Sequence, residues 1–224
     1  MLDAGAKVVL VKRALRSPEP TLMTRLPAPW VACLFATALP LFAEVPPSSF
    51  SRTITHGGES LVVDYASHPV RGPAFEVLVQ DASGALVPHA AAGSRIYLGT
   101  VPGRPGAMAA GLLKEDGRLI TRINFESGVE WIDDGGSVSQ RGNTSWSPNW
   151  PEELPGSGGA GPNVYAAEVA VDAPHDLYLA AGGTVDDTVE ICEFSLMATN
   201  LPYLRDAAIV HQLGRVIVRS APSQ

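Results

Sequence analysis

From Glu44 to about Asn149 the chain is a series of short apolar runs, each closed by a turn, at intervals of roughly ten residues. The runs are Ser60-LVVDYA, Ala74-FEVLVQD, Ala85-LVPHA, Arg95-IYLGTV, Ala107-MAAGLL, Arg118-LITRINF and Val129-EWID, divided by Ser83-Gly84, Pro102-Gly103, Asp116-Gly117, Ser127-Gly128 and Asp134-Gly135-Gly136. Runs this short, punctuated this regularly, predict an antiparallel sandwich or barrel. The 22 Gly and 19 Pro agree, since both residues interrupt helices and serve turns. A collagen repeat, a coiled coil and a highly charged disordered tail are excluded by the same composition, in which 17% of residues are charged.

Two links fix hairpins. Asp116-Gly117 and Ser127-Gly128 join three of the runs, so 107–133 is predicted to be a three-stranded meander. Along its middle strand Leu119, Thr121, Ile123 and Phe125 alternate with Ile120, Arg122 and Asn124, which predicts one face on a core and the other in water.

The pattern changes at 142–163, GNTSWSPNWPEELPGSGGAGPN, which has the Gly, Pro, Ser and Asn content of a linker or crossing segment. Its Trp146 and Trp150 are large apolar groups that predict docking on a surface. Beyond it, Val164-YAAEVAVDA reads as a strand and Ala208-IVHQLGRVIV as another. Between them Thr184 to about Leu204 is helical, with Val185, Val189, Cys192 and Leu196 on one stripe. Thr184 is placed to cap this helix with Asp187 at its third position, and Pro202 predicts an early end. Strand, helix, strand is a βαβ unit with parallel strands. Two strands and one helix leave sheet edges uncovered, so 164–224 reads as the beginning of an α/β domain.

The start of the chain differs from the rest. Residues 1–43 carry Lys7, Lys12, Arg13, Arg16 and Arg25 against Asp3 and Glu19, although the whole chain has net charge −7. Leu26 to Ala43 is uncharged and follows Arg25 directly, as in a secretory signal peptide with cleavage after Ala38 or Ala43. A membrane anchor is disfavoured, because this stretch contains Pro27, Pro29 and Pro40 and falls short of the about 20 apolar residues of a span. Met23 then gives a signal of ordinary length and is the expected true start, and the product is expected to be secreted or periplasmic with no stable membrane span. Cys33 lies within the apolar run as filler, so cleavage leaves Cys192 as the one thiol and no internal disulfide. The body that remains is acidic and repels phosphate backbones, which excludes nucleic acid as a partner.

Histidines at 56, 68, 89, 175 and 211 show no metal-ligand spacing, and the first three are expected in surface loops. Asp133-Asp134 lacks the alternating oxygens of a calcium loop and reads as a solvated turn. There is no G-x-S-x-G elbow and no P-loop.

Some of these runs resemble a known family. Arg95-IYLGTVPGRPGAMAAGLLKEDGRLITRINFESGVEW is similar to the C-terminal part of the propeptide of secreted bacterial zinc metallopeptidases of the reprolysin/adamalysin-like metzincins, family M12. Ala167-EVAVDAPHDLYLAAGG, the helix ending Asn200-LPYLRDAAI and Val210-HQLGRVIVRS resemble the first strand, first helix and second strand of that family's catalytic domain. The resemblance spans about residues 60–219 and implies a hydrolase acting on protein or peptide substrates with zinc held by H-E-x-x-H-x-x-G-x-x-H. None of the five histidines is followed by Glu, so no catalytic or metal-ligating residue is assigned in this chain and this fragment is expected to bind no zinc. Nor does the propeptide-like segment offer a cysteine to cap a zinc ion.

The expected organisation is a leader over 1–43, a β-rich propeptide-like domain over 44–141, a linker over 142–163 and the βαβ start of a metallopeptidase-like domain over 164–224. On this reading the chain is a fragment, inactive alone. Two other readings stand beside it: an exported β-sandwich binding module with Trp131, Trp146 and Trp150 as a ligand platform, and a free propeptide-like protease inhibitor.

Overall fold

The computed structural model describes residues 45–142 and 164–222, and those from Pro46 onward belong to one compact unit. Ala38 and Ala43, Met23, Cys33, Trp146 and Trp150 lie outside the described residues.

The chain is mainly β, in two sheets. The larger has the order β1 (Ser49–His56), β2 (Glu59–Ser67), β5 (Ile96–Thr100), β6 (Met108–Leu113), β7 (Leu119–Asn124), β8 (Glu130–Asp133), β9 (Val138–Arg141). Every neighbouring pair is antiparallel. Gly117 and Gly128 take positive φ, 81° and 77°, in the two turns that the sequence marks, and β6–β7–β8 is the expected meander. The edge strands β1 and β9 were not legible, because each carries few apolar residues: in β1 only Phe50 and Ile54 interrupt a polar run.

This sheet curls into a half-barrel that brings its two edges together. His56 Nδ1 at the end of β1 lies 3.1 Å from the Val138 carbonyl oxygen at the start of β9. The concave side is a core of Ile54, Leu61, Val63, Tyr65, Ile123 and Trp131, among others. Two glycines let the interior ring fit: a Cβ on Gly99 would come within 2.8 Å of Val63 and 3.0 Å of Tyr65, and one on Gly111 within 2.9 Å of Tyr65. Ala is otherwise the better strand residue, so Gly99→Ala separates the two effects. Overpacking should win, lowering stability by about 1–3 kcal/mol in urea titration; an unchanged midpoint would mean that the Tyr65 ring moves aside.

The second sheet has the order β10 (Tyr165–Ala173), β11 (Ile209–Arg219), β3 (Arg71–Gln80), β4 (Leu86–His89). β10 and β11 run parallel, joined by α1 (His175–Ala181) and α2 (Val185–Ala207), so the expected βαβ unit is present. Its sheet does not stop at two strands: β3 runs parallel to β11, and β4 pairs antiparallel with β3. Gly214 forms a bulge in β11, and the Glu168 side chain lies over it in the space a Cβ would fill.

Helix α2 lies between the sheets. Val189, Cys192, Met197 and Leu201 pack in one core with Val216 and Val218 of β11 and with Ile96, Ala110 and Leu112 of the half-barrel strands. Thr184 Oγ1 accepts from Asp187 N at 3.1 Å, the cap that the sequence predicts.

Two expectations are corrected. Pro202 does not end the helix, which continues to Ala207. Proline removes one backbone hydrogen bond, but buried Leu201 and the bond from Arg205 to Asn124 Oδ1, 2.8 Å, tie the last turns to the half-barrel. Nor is the second face of β7 in water: Ile120 packs against the α2 core and Asn124 is buried, held between Arg205 and Glu130. Alternation shows that β7 has two faces, but not that a helix covers the second one.

Candidate functional site

The most unusual chemistry lies where β3, the β4–β5 connection and α2 meet. Glu193 occupies the buried face of α2, four residues from Val189 and from Met197, and is wholly enclosed. Arg71, at the start of β3, donates from Nε to Glu193 Oε1, and its guanidinium lies 4.7 Å from the centre of the Phe75 ring. Ser94 Oγ donates to Glu193 Oε2 at 3.2 Å. Burial raises the Glu193 carboxyl above its ordinary range; Arg71 and Ser94 pull it back and the neighbouring Glu190 charge adds to the rise.

Beside this pair is a small pocket of about 270 Å³, lined by Arg71, Phe75, Glu76, Val77 and His89–Ala91. His89 Nε2 lies 3.3 Å from Asp186 Oδ1, which also accepts the Ala92 amide at 3.3 Å. A carboxyl shifted toward neutrality is one requirement for acid–base work. Here both its oxygens are engaged, so the arrangement clamps three elements together. Lys114 works alongside it, reaching Asp187 and Glu190 of α2 at 2.6 Å each.

A second concavity of about 710 Å³ opens at the mouth of the half-barrel, between Arg52–Thr55 of β1, the Asp116–Leu119 turn and the Gly135–Val138 turn. Behind it, Tyr65 Oη and Thr121 Oγ1 share a buried hydrogen bond of 2.6 Å. Burial pushes the Tyr65 hydroxyl up to about 12, with nearby Asp133 adding and Thr121 opposing, so the phenol stays protonated at neutral pH. Asp133 accepts the Gly135 amide, and Asp134 accepts those of Gly136 and Ser137, which hold the Asp134 carboxyl below its usual range. These carboxylates close a turn.

The histidines lie apart, and the side chains of four of them have separate partners. His56 and His89 are half-buried strand residues and not loop residues; His56 packs edge-on against Trp131 at 5.4 Å. His68 is half-buried in the turn after β2. His175 Nδ1 lies 3.3 Å from the Arg219 carbonyl, while Asn200 Oδ1 accepts from the His211 amide and lies against its Nδ1, 2.8 Å each. Among the described residues no three His, Cys, Asp or Glu side chains are grouped to hold a metal ion. Trp131 is buried in the half-barrel and presents no ring to a ligand. No helix among the described residues is long and apolar enough to cross a membrane.

Cys192 faces the core that α2 forms with β11 and the half-barrel strands, where burial, and secondarily the Glu193 charge, push its thiol up to about 12. It should resist thiol reagents in the native protein and react fully in denaturant; rapid native labelling would mean that α2 opens readily.

No protein-family model matches this chain, and no curated protein is significantly similar to it. The Arg71–Glu193 clamp escaped sequence reading. Its one signal was a glutamate on the apolar stripe of a helix, at i+4 from Val189.

Proposed function

We propose that the chain is the N-terminal part of a secreted zinc-dependent metalloendopeptidase, made of a signal peptide, a β-rich propeptide-like segment and the opening βαβ unit of the catalytic domain. The observation that carries this reading is the parallel β10–α1–α2–β11 unit, whose strand β10 stands at the end of the sheet order, with its first residue Tyr165 62% exposed. Among the described residues β10 has one strand neighbour, β11, and an unpaired strand edge is where further strands of an α/β sheet would add. The hairpin sequence and the Tyr97-Leu98-Gly99 strand support the propeptide part by resemblance.

On this reading the zinc motif is encoded downstream, and the chain has no zinc-dependent peptidase activity of its own. Reading the gene past codon 224 in all three frames should reveal H-E-x-x-H within about 150 codons, the size of an ordinary domain. Its absence there would overturn the proposal and favour a binding module or a free inhibitor. The binding-module reading is weakened by Trp131, one of its three proposed platform rings, which packs in the core.

A further inference from the structure

The β3–β4 hairpin behaves as an arm. Strands β2 and β5 are direct neighbours in the half-barrel, and the hairpin between them in sequence leaves that sheet to join the other. There β3 lies parallel to β11 from Glu76 opposite Arg215 to Gln80 opposite Arg219.

We propose that residues 45–142 and 164–222 are two halves of one non-covalent assembly, in which this arm supplies the α/β half with its third and fourth strands, so that the halves stay bound after the backbone between them is cut.

Three independent sets of contacts cross from one half to the other. The first is the β3–β11 ladder itself, which satisfies an edge that the βαβ unit cannot cover alone. The second is the shared core: Val70, Val77, Ile96 and Leu112 from the first half close over Met197, Leu201 and Val216 from the second. The third is polar and runs along the whole length of α2. Lys114 holds Asp187 and Glu190 near its start, Arg71 and Ser94 hold Glu193 at its middle, and Asn124 holds Arg205 in its last turn. Arg215 adds a bond to Glu76 at 2.5 Å, and Arg219 one to Gln80. None of these contacts uses residues 143–163.

The consequence for maturation rests on the peptidase reading: a cut in 143–163 alone would not release the propeptide-like half, because β3 must also be stripped from β11. The association itself does not rest on that reading.

The test is a full chain with a protease recognition sequence inserted between Gly158 and Gly159, cleaved to completion under native conditions. Both fragments should then elute together at the volume of the uncut protein, with unchanged far-ultraviolet circular dichroism. Separate elution or precipitation of either fragment would overturn the proposal. A second measurement on the uncut chain needs no cleavage: amides of β3 and β11 should exchange with deuterium as one cooperative unit. Exchange of β3 much faster than β11 would overturn it too. If the downstream gene lacks H-E-x-x-H and the fragments still co-elute, only the maturation consequence falls. If the fragments part, the association fails whatever the gene encodes.

Discussion

Trp131→Ala should destabilise the protein by about 3–5 kcal/mol, the range for truncating a buried tryptophan. Trp131 is 5% exposed on the concave side of the half-barrel, with the His56 ring edge-on at 5.4 Å and the Phe125 ring at 5.5 Å. Its loss has a second effect, because His56 also reaches the Val138 carbonyl and so helps bring β1 to β9. Removing the indole therefore empties part of a core and loosens the curl of the sheet at one position. Urea unfolding followed by circular dichroism measures the loss. A midpoint equal to that of the parent would mean that the ring is peripheral and would restore it as a candidate ligand platform.

Arg71→Ala is expected to cost a similar amount, about 3–5 kcal/mol, because it strands the carboxylate of a fully buried residue. Lysine at the same position should recover part of the loss, as it returns the charge but not the planar guanidinium over Phe75. The pH dependence carries a definite sign. In the folded protein burial already holds the Glu193 carboxyl above its ordinary 4.5, against the pull of Arg71 and Ser94 and with help from Glu190. Without Arg71 it rises further. A carboxyl raised on folding binds its proton more tightly in the folded state than in the unfolded one. Stability therefore falls as pH rises from the ordinary carboxylate range through the folded value, and the penalty is absent below both. The deficit of Arg71→Ala relative to the parent should thus shrink toward acid pH. Asp187, lowered chiefly by Lys114, titrates in the opposite sense, but it does so in both proteins and largely cancels in the difference. Urea midpoints of parent and variant between about pH 4 and pH 7 decide the matter; a deficit that is constant or grows in acid would show that Glu193 is not left as a buried anion.

The two halves of the chain were legible to different depths. In the half-barrel, Gly117 and Gly128 mark turns that need positive φ, and the strands between them follow by alternation. In α2, Thr184 and Asp187 declare the start through a cap that involves only four consecutive residues. Its end misled, because Pro202 lowers helix propensity locally while the packing of Leu201 and the reach of Arg205 to Asn124 act across the molecule. Glu193 carries no local mark of its role: a charged residue within a helix has the same neighbours in sequence whether solvated or buried, and only its enclosure against β3 and the β4–β5 connection makes it a clamp.

What the sequence determined by itself is therefore local: the strands and turns of 60–133, the capped helix, and the βαβ order of the second segment. Only the tertiary structure decided that the β3–β4 hairpin leaves the half-barrel for β11, that β1 curls round to β9, and that α2 is covered on both sides. The physical reason is one of range. Turns and caps are set by the dihedral preferences and hydrogen bonds of a few adjacent residues, whereas the β3–β11 ladder joins residues such as Glu76 and Arg215 that are far apart in the chain. The entropy cost of closing so long a loop grows only slowly with its length, so length alone does not select the partner. The choice of partner is made by which faces bury the most apolar surface together, and that quantity belongs to the assembled protein.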